Sequence, residues 1–255
     1  SLLTILNRND EGSSEPNLSR YMLEHLHELD HLSIYKIAED CYLSRSSVQR
    51  FIRTLGYDSF TSLKAALPET ERHQRAFIDY ADHTDYATYL ASELNAMASD
   101  INETCVECGL EPFALRIHEA DEVIILTAED SSSAARTFQQ AMLSIGKLIR
   151  LMTSSAISLS PLFRLSDDAL LIVCSTTGNY AIAVDRELHD IDAEKCLVTI
   201  NRTLLFERTY DYIYYLSTKR QISHREISRL RDVYTRYAMQ YFFDLLFNQY
   251  LQLVE

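Results

Sequence analysis

The sequence predicts an α/β protein with an all-helical head, and three observations lead there. Up to about Leu67 apolar residues recur only at helical spacing, as in Leu18, Met22, Leu26 and Leu29 and again in Val48, Phe51, Ile52 and Leu55. After residue 110 short β-branched runs alternate with helical stretches. Runs apolar on both faces imply a parallel sheet covered by helices on each side, a doubly wound arrangement. Charge divides at the same place: residues 1–75 hold nine basic and eleven acidic side chains, so most of the net charge of -13 lies beyond them.

With 255 residues, 47% of them hydrophobic, the chain can bury a core in each of two domains. The expected division is a helical domain over 1–75, a linker and connecting helix over 76–109, and an α/β domain over 110–255. Residues 68–85 start with Pro68, are polar and charged, show no strong period, and read as the linker or the start of the connecting helix. An amphipathic helix follows from Asp85 to about Cys108, with Gly109 placed to cap it. Strands are expected at Glu122–Thr127, Lys147–Met152, Ala169–Ser175, Cys196–Ile200 and Tyr212–Ser217. Helices are expected at Ser132–Ile145, around Ile157–Leu165, at Tyr180–Ile191, and as one long aromatic-rich pattern from His224 to Leu253. Tyr and Phe at helical spacing in that tail suit a core or a dimer interface.

Composition excludes several classes. A pI near 5.0 rules out a uniformly basic nucleic-acid coat, so any such surface must be local. Five glycines, at 12, 56, 109, 146 and 178, cannot form a dinucleotide-binding GxGxxG or a phosphate-cradling GxxxxGK. The longest apolar stretch, Ala169–Cys174, is far too short to cross a membrane, and no signal peptide is expected. Five scattered cysteines read as reduced core thiols of a cytoplasmic protein. Cys105 and Cys108 have metal spacing but lie in a helical pattern without a second pair, so no metal is expected.

The strongest local signal lies between Leu32 and Gly56. Two short helices are joined by a tight turn, with Ser33 and Ser44 placed as N-caps and Gly56 as the stop. On the second helix Val48, Phe51, Ile52 and Leu55 share one face, while Ser46, Gln49, Arg50 and Arg53 occupy the other, and no acid falls between Leu43 and Tyr57. Such a helix can present hydroxyl and amide groups, Ser46, Ser47 and Gln49, to base edges. Arg50 and Arg53 suit guanine edges or phosphates, and Arg45 in the first turn suits a phosphate.

The run Ile34-x-x-Ile37-Ala38-Glu39, then Leu43-Ser44-x-Ser46-Ser47-Val48-x-Arg50-Phe51, then Leu55-Gly56-Tyr57-x-x-Phe60, resembles the N-terminal helix-turn-helix domain of RpiR-type bacterial transcriptional regulators. That resemblance implies a second domain of the sugar isomerase (SIS) fold, a five-stranded parallel sheet holding a phosphosugar in two Ser/Thr-rich loops. On the first loop Ser131 matches the family's serine, with Ser132 beside it, but Thr127 and Glu129 stand at its glycine positions and Glu129 and Asp130 bring two carboxylates. The second loop, Ser175-Thr176-Thr177-Gly178, keeps the family's shape and leads into a helix at Tyr180.

The resemblance implies double-stranded operator DNA, a phosphosugar effector and a homodimer or homotetramer. It implies neither cofactor nor membrane. Catalysis is not expected, because Asn179 stands where many members have Glu and the body's histidines, His118, His189 and His224, lie in helix-like polar stretches. A phosphosugar isomerase and a body that only dimerises are the competing readings.

Overall fold

A computed structural model describes residues 2–7, 13–128, 131–153, 160–218 and 232–254. They form two compact units, Ser1–Arg75 and Ala76–Glu255.

The first unit is helical. Helices α1 (Leu2–Leu6), α2 (Glu15–Glu24), α3 (Ile34–Asp40) and α4 (Arg45–Thr54) surround a core of Leu18, Met22, Leu29, Ile37, Val48, Phe51 and Ile52. Phe51 is almost fully buried there, and a truncation to Ala at such a site costs about 3–5 kcal/mol. Both predicted caps form: Ser33 Oγ accepts from the Lys36 amide at 3.1 Å, and Ser44 Oγ from the Ser47 amide at 3.1 Å.

Between α3 and α4 the chain turns through Tyr42, at φ 55°. The Tyr42 amide donates to the Glu39 carbonyl and the Leu43 amide to that of Ala38. This is the two-bond helix stop usually built on glycine. Gly56 ends α4 with the same pair of bonds, to Arg53 and Ile52.

One expectation fails at Pro68. Helix α5 runs unbroken from Phe60 to Ala81, and the division between the units falls inside it. An interior proline removes the bond to the carbonyl four residues back, here Lys64, at about 3 kcal/mol. Leu63 and Leu67, buried in the head core, return about 1.5–3 kcal/mol each and outweigh that loss. Residues 68–81 of the polar stretch are thus the second half of a helix, and 82–85 join it to the next one.

The second unit holds a five-stranded, all-parallel sheet in the order β2-β1-β3-β4-β5. Its strands are β1 (Glu122–Thr127), β2 (Ile149–Thr153), β3 (Ala169–Cys174), β4 (Glu194–Thr199) and β5 (Tyr212–Tyr215). Alternate residues divide between two cores, as a sheet covered on both faces requires. Val123, Ile125, Leu170, Ile172, Cys196 and Val198 pack on the side of α6 (Tyr86–Cys108), α7 (Glu111–Glu119), α8 (Ser132–Ser144) and α10 (Met239–Val254). Ile124, Leu126, Leu171, Val173 and Leu197 pack on the side of α9 (Asn179–Leu188).

The tail aromatics enter the first of these cores. Phe242, Phe243 and Tyr250 are buried, and Phe243 stacks on Phe138 at 4.5 Å. A turn of π-helix, Tyr234–Ala238, leads into α10; the predicted start of that tail, from His224 to Arg231, lies outside the described residues. The helix expected around 157–165 is a 3-10 turn, Ser160–Arg164, with 157–159 also outside them.

The five cysteines are free, but only Cys174 and Cys196 are core thiols. Cys41 and Cys105 are half-buried and Cys108 is exposed, because the last turn of α6 brings residue 108 round to solvent. Among the described residues no helix is long and apolar enough to cross a membrane.

Candidate functional site

Helix α4 buries Val48, Phe51 and Ile52 and turns its other face outward. Arg45, Ser46, Arg50 and Arg53 are exposed on it, and among the described residues none of the three arginines meets a carboxylate. All three predicted base readers are engaged within the head, Ser46 Oγ lying 2.8 Å from Ser44 Oγ. Ser47, half-buried, shares a 2.9 Å contact with Ser44 Oγ, and Gln49 Nε2 donates to the Asp58 carbonyl at 3.2 Å. Arg45 is held as well: its Nη1 donates to the Tyr35 hydroxyl at 3.0 Å, and its guanidinium lies 5.0 Å from the Tyr35 ring centre. Tyr35 escapes a reading of α4 alone, since it sits on the preceding helix.

The second site is set by topology. β1 leads through α8 to β2 on one side, while the chain past β3 winds the other way, so the order of the sheet reverses between β1 and β3. In doubly wound sheets ligands bind beyond the strand ends at that switch point. Thr127 pairs in register with Cys174, and its Oγ1 donates to the Cys174 carbonyl at 3.2 Å, so the two Ser/Thr loops start side by side. Ser131, exposed, is the N-cap residue of α8, with the half-buried Ser132 next. Glu129 and Asp130 lie outside the described residues.

The loop after β3 is firmly tied. Ser175, buried, accepts at Oγ from the Ala181 amide at 3.2 Å, a structural cap for α9. The Thr176 carbonyl accepts from the Ile200 amide at 2.9 Å and from Thr199 Oγ1 at 3.2 Å. Asn201, buried after β4, donates from Nδ2 to the Thr177 carbonyl at 3.1 Å and accepts from the Thr203 amide at 3.1 Å. In the sequence Asn201 has no role in the site beyond an accidental Asn-x-Thr pattern; its position just past a strand's carboxyl end was the available signal. Gly178 then turns at φ 83° into α9, whose first amides have no partners inside the helix. Thr176, Thr177 and Tyr180 are half-buried around that helix start.

The remaining candidates lie elsewhere. His118 is on α7, four residues before β1 begins, where Nδ1 meets the Tyr250 hydroxyl at 3.3 Å. His189 caps the end of α9 before β4. Both mark the amino-terminal edge of the sheet, opposite the loops; His224 lies outside the described residues.

Fold and site together define a protein in which a helix-turn-helix head precedes a doubly wound α/β body. The head is more particular: residues 2–73 match the family model for the helix-turn-helix domain of the rpiR family. The head is thus a helix-turn-helix domain of that family's type. Over 99% of its length the chain is similar to the Vibrio vulnificus NanR protein, solved in complex with ManNAc-6P, at 17% identity and a TM-score of 0.53 over 92% of that chain. It is also similar to the sugar isomerase domain of the RpiR transcription factor from Sphaerobacter thermophilus. That match has 14% identity and a TM-score of 0.42 over 64% of this chain and 94% of that one.

Proposed function

We propose that this chain is a transcriptional regulator of the RpiR type that works in the cytoplasm as a homodimer or homotetramer, reads a roughly palindromic operator with paired heads, and responds to a phosphosugar or similar small anion in an α/β body of SIS fold. The observation that carries the effector reading is the pairing of the two Ser/Thr loops at the β1/β3 switch point, beside the start of α9. Helix starts favour anions, because the helix dipole and the first amides point at them. Ser131, Ser132, Thr176, Thr177 and Tyr180 are the proposed contacts, with Ser175 capping the helix behind them. On α4, Ser46, Arg50 and Arg53 face the groove, flanked by Arg45, Ser47 and Gln49.

The body acts without turnover in this reading. A carboxamide, that of Asn179, begins α9 and cannot accept a proton, and His118 and His189 belong to the far edge of the sheet. A bound effector would change the spacing of the two heads.

Two experiments test this. Replacing Arg50 and Arg53 by Ala should abolish specific operator binding and leave the melting temperature unchanged; undiminished affinity would refute the DNA-reading face. A thermal-shift screen against hexose, pentose and amino-sugar phosphates should give a rise that Thr176→Val and Thr177→Val remove, since a ligand stabilises in proportion to the logarithm of its excess over Kd. No shift with any of them would favour a body that only dimerises, and turnover of a sugar phosphate would favour an isomerase.

A further inference from the structure

We propose that Tyr35 is a positioning residue for DNA, holding Arg45 ready for a backbone phosphate. The proposal rests on the head's binding DNA through α4. In a helix-turn-helix the first helix crosses the backbone while the start of the second enters the major groove. Tyr35 is the second residue of α3 and Arg45 the first of α4, so the pair occupies the place where backbone and groove meet.

The geometry favours a recognition role. Tyr35 is 63% exposed, so its ring adds little to the head core. It contacts Arg45 twice, by the 3.0 Å hydrogen bond and by the ring face 5.0 Å from the guanidinium. One of the five guanidinium N–H groups is used, and four remain for a phosphate. The Tyr35 hydroxyl accepts from Arg45 and so fixes the guanidinium where it stands. A free arginine must give up its rotamer freedom on binding, and Tyr35 removes much of that loss beforehand.

Phosphate contacts are independent of sequence, so the test needs no operator. The full-length protein is titrated with a short mixed-sequence duplex across a salt series. Arg45→Ala should lower the slope of log affinity against log salt by about one unit. Tyr35→Ala should weaken binding about two- to tenfold, and Tyr35→Phe, which keeps the ring, by less. Neither should weaken binding further in the R45A background.

Equal weakening by Y35A with and without Arg45 would overturn the proposal, because Tyr35 would then act on its own. Unchanged affinity with a lowered melting temperature would also overturn it, leaving the pair as a pin between α3 and α4. Failure of the unaltered protein to bind the duplex would overturn the DNA reading itself and the proposal with it.

Discussion

Gly178 offers the sharpest test of how the loop after β3 is built. A Cβ added there would lie 2.7 Å from Asn201 Nδ2, 2.9 Å from Asn201 Cβ and 3.0 Å from Phe206 Cζ. None of these neighbours yields cheaply: Asn201 is 3% exposed and hydrogen-bonded to both sides, and Phe206 is 1% exposed. The left-handed backbone adds about 1 kcal/mol for a residue with a Cβ, and an overpacked core site about 1–3 kcal/mol. Gly178→Ala should therefore destabilise the body by about 2–4 kcal/mol, or about 5–15 °C in Tm for a unit of this size.

Gly146 provides the control. It has almost the same φ, 82° against 83°, and nothing within 4 Å of its added Cβ. Gly146→Ala should cost about 1 kcal/mol, the conformational part alone. Calorimetry of the two variants isolates the contact with Asn201 and Phe206. If G178A melts with G146A, the loop is looser than described and the reasoning fails; if Asn201→Ala restores part of the G178A loss, the clash is located.

Further outcomes follow from other parts of the chain. Tyr42 holds a left-handed turn with a side chain 96% exposed, so Tyr42→Gly should stabilise the head by about 1 kcal/mol in denaturant melts. Burial disfavours the charge on Asp100, but hydrogen bonds from Ser217, Thr218 and Tyr234 outweigh it and hold the carboxyl below its usual range. A lowered folded pKa stabilises above the unfolded value and loses that stability as pH falls. Asp100→Asn should lower Tm at neutral pH, with the gap to the parent closing below about pH 4. Burial pushes the Cys105 thiol up to about 11 and raises Cys174 and Cys196 as well, whereas Cys108 is exposed. A thiol reagent should label Cys108 first in the native protein, Cys108→Ala should remove that fast phase, and the buried pair should react only after unfolding.

The local grammar of this protein was legible because it depends on near neighbours. Ser33 and Ser44 cap the helices that follow them, Gly56 and Gly109 end others, and β1 spans the predicted residues, all interactions confined to a few positions. Pro68 misled for the same reason: by itself it breaks a helix, and the cost is met by Leu63 and Leu67 packing into a core assembled from distant residues. Cys108 misled because apolar surroundings in sequence do not say which way a helix turns in its last residues.

The sequence by itself determined the two kinds of secondary structure, the helix with a polar and basic outer face and the two hydroxyl-rich loops, since periodicity and capping are properties of contiguous residues. Only the tertiary structure decided what those loops can do. The order β2-β1-β3-β4-β5 sets them side by side, Asn201 after β4 locks the second, and Ser175 becomes a cap rather than an open hydroxyl. Tyr35 meets Arg45 only across the turn between two helices. These are contacts between groups that the chain keeps apart, and they exist only once two separate cores have closed around them.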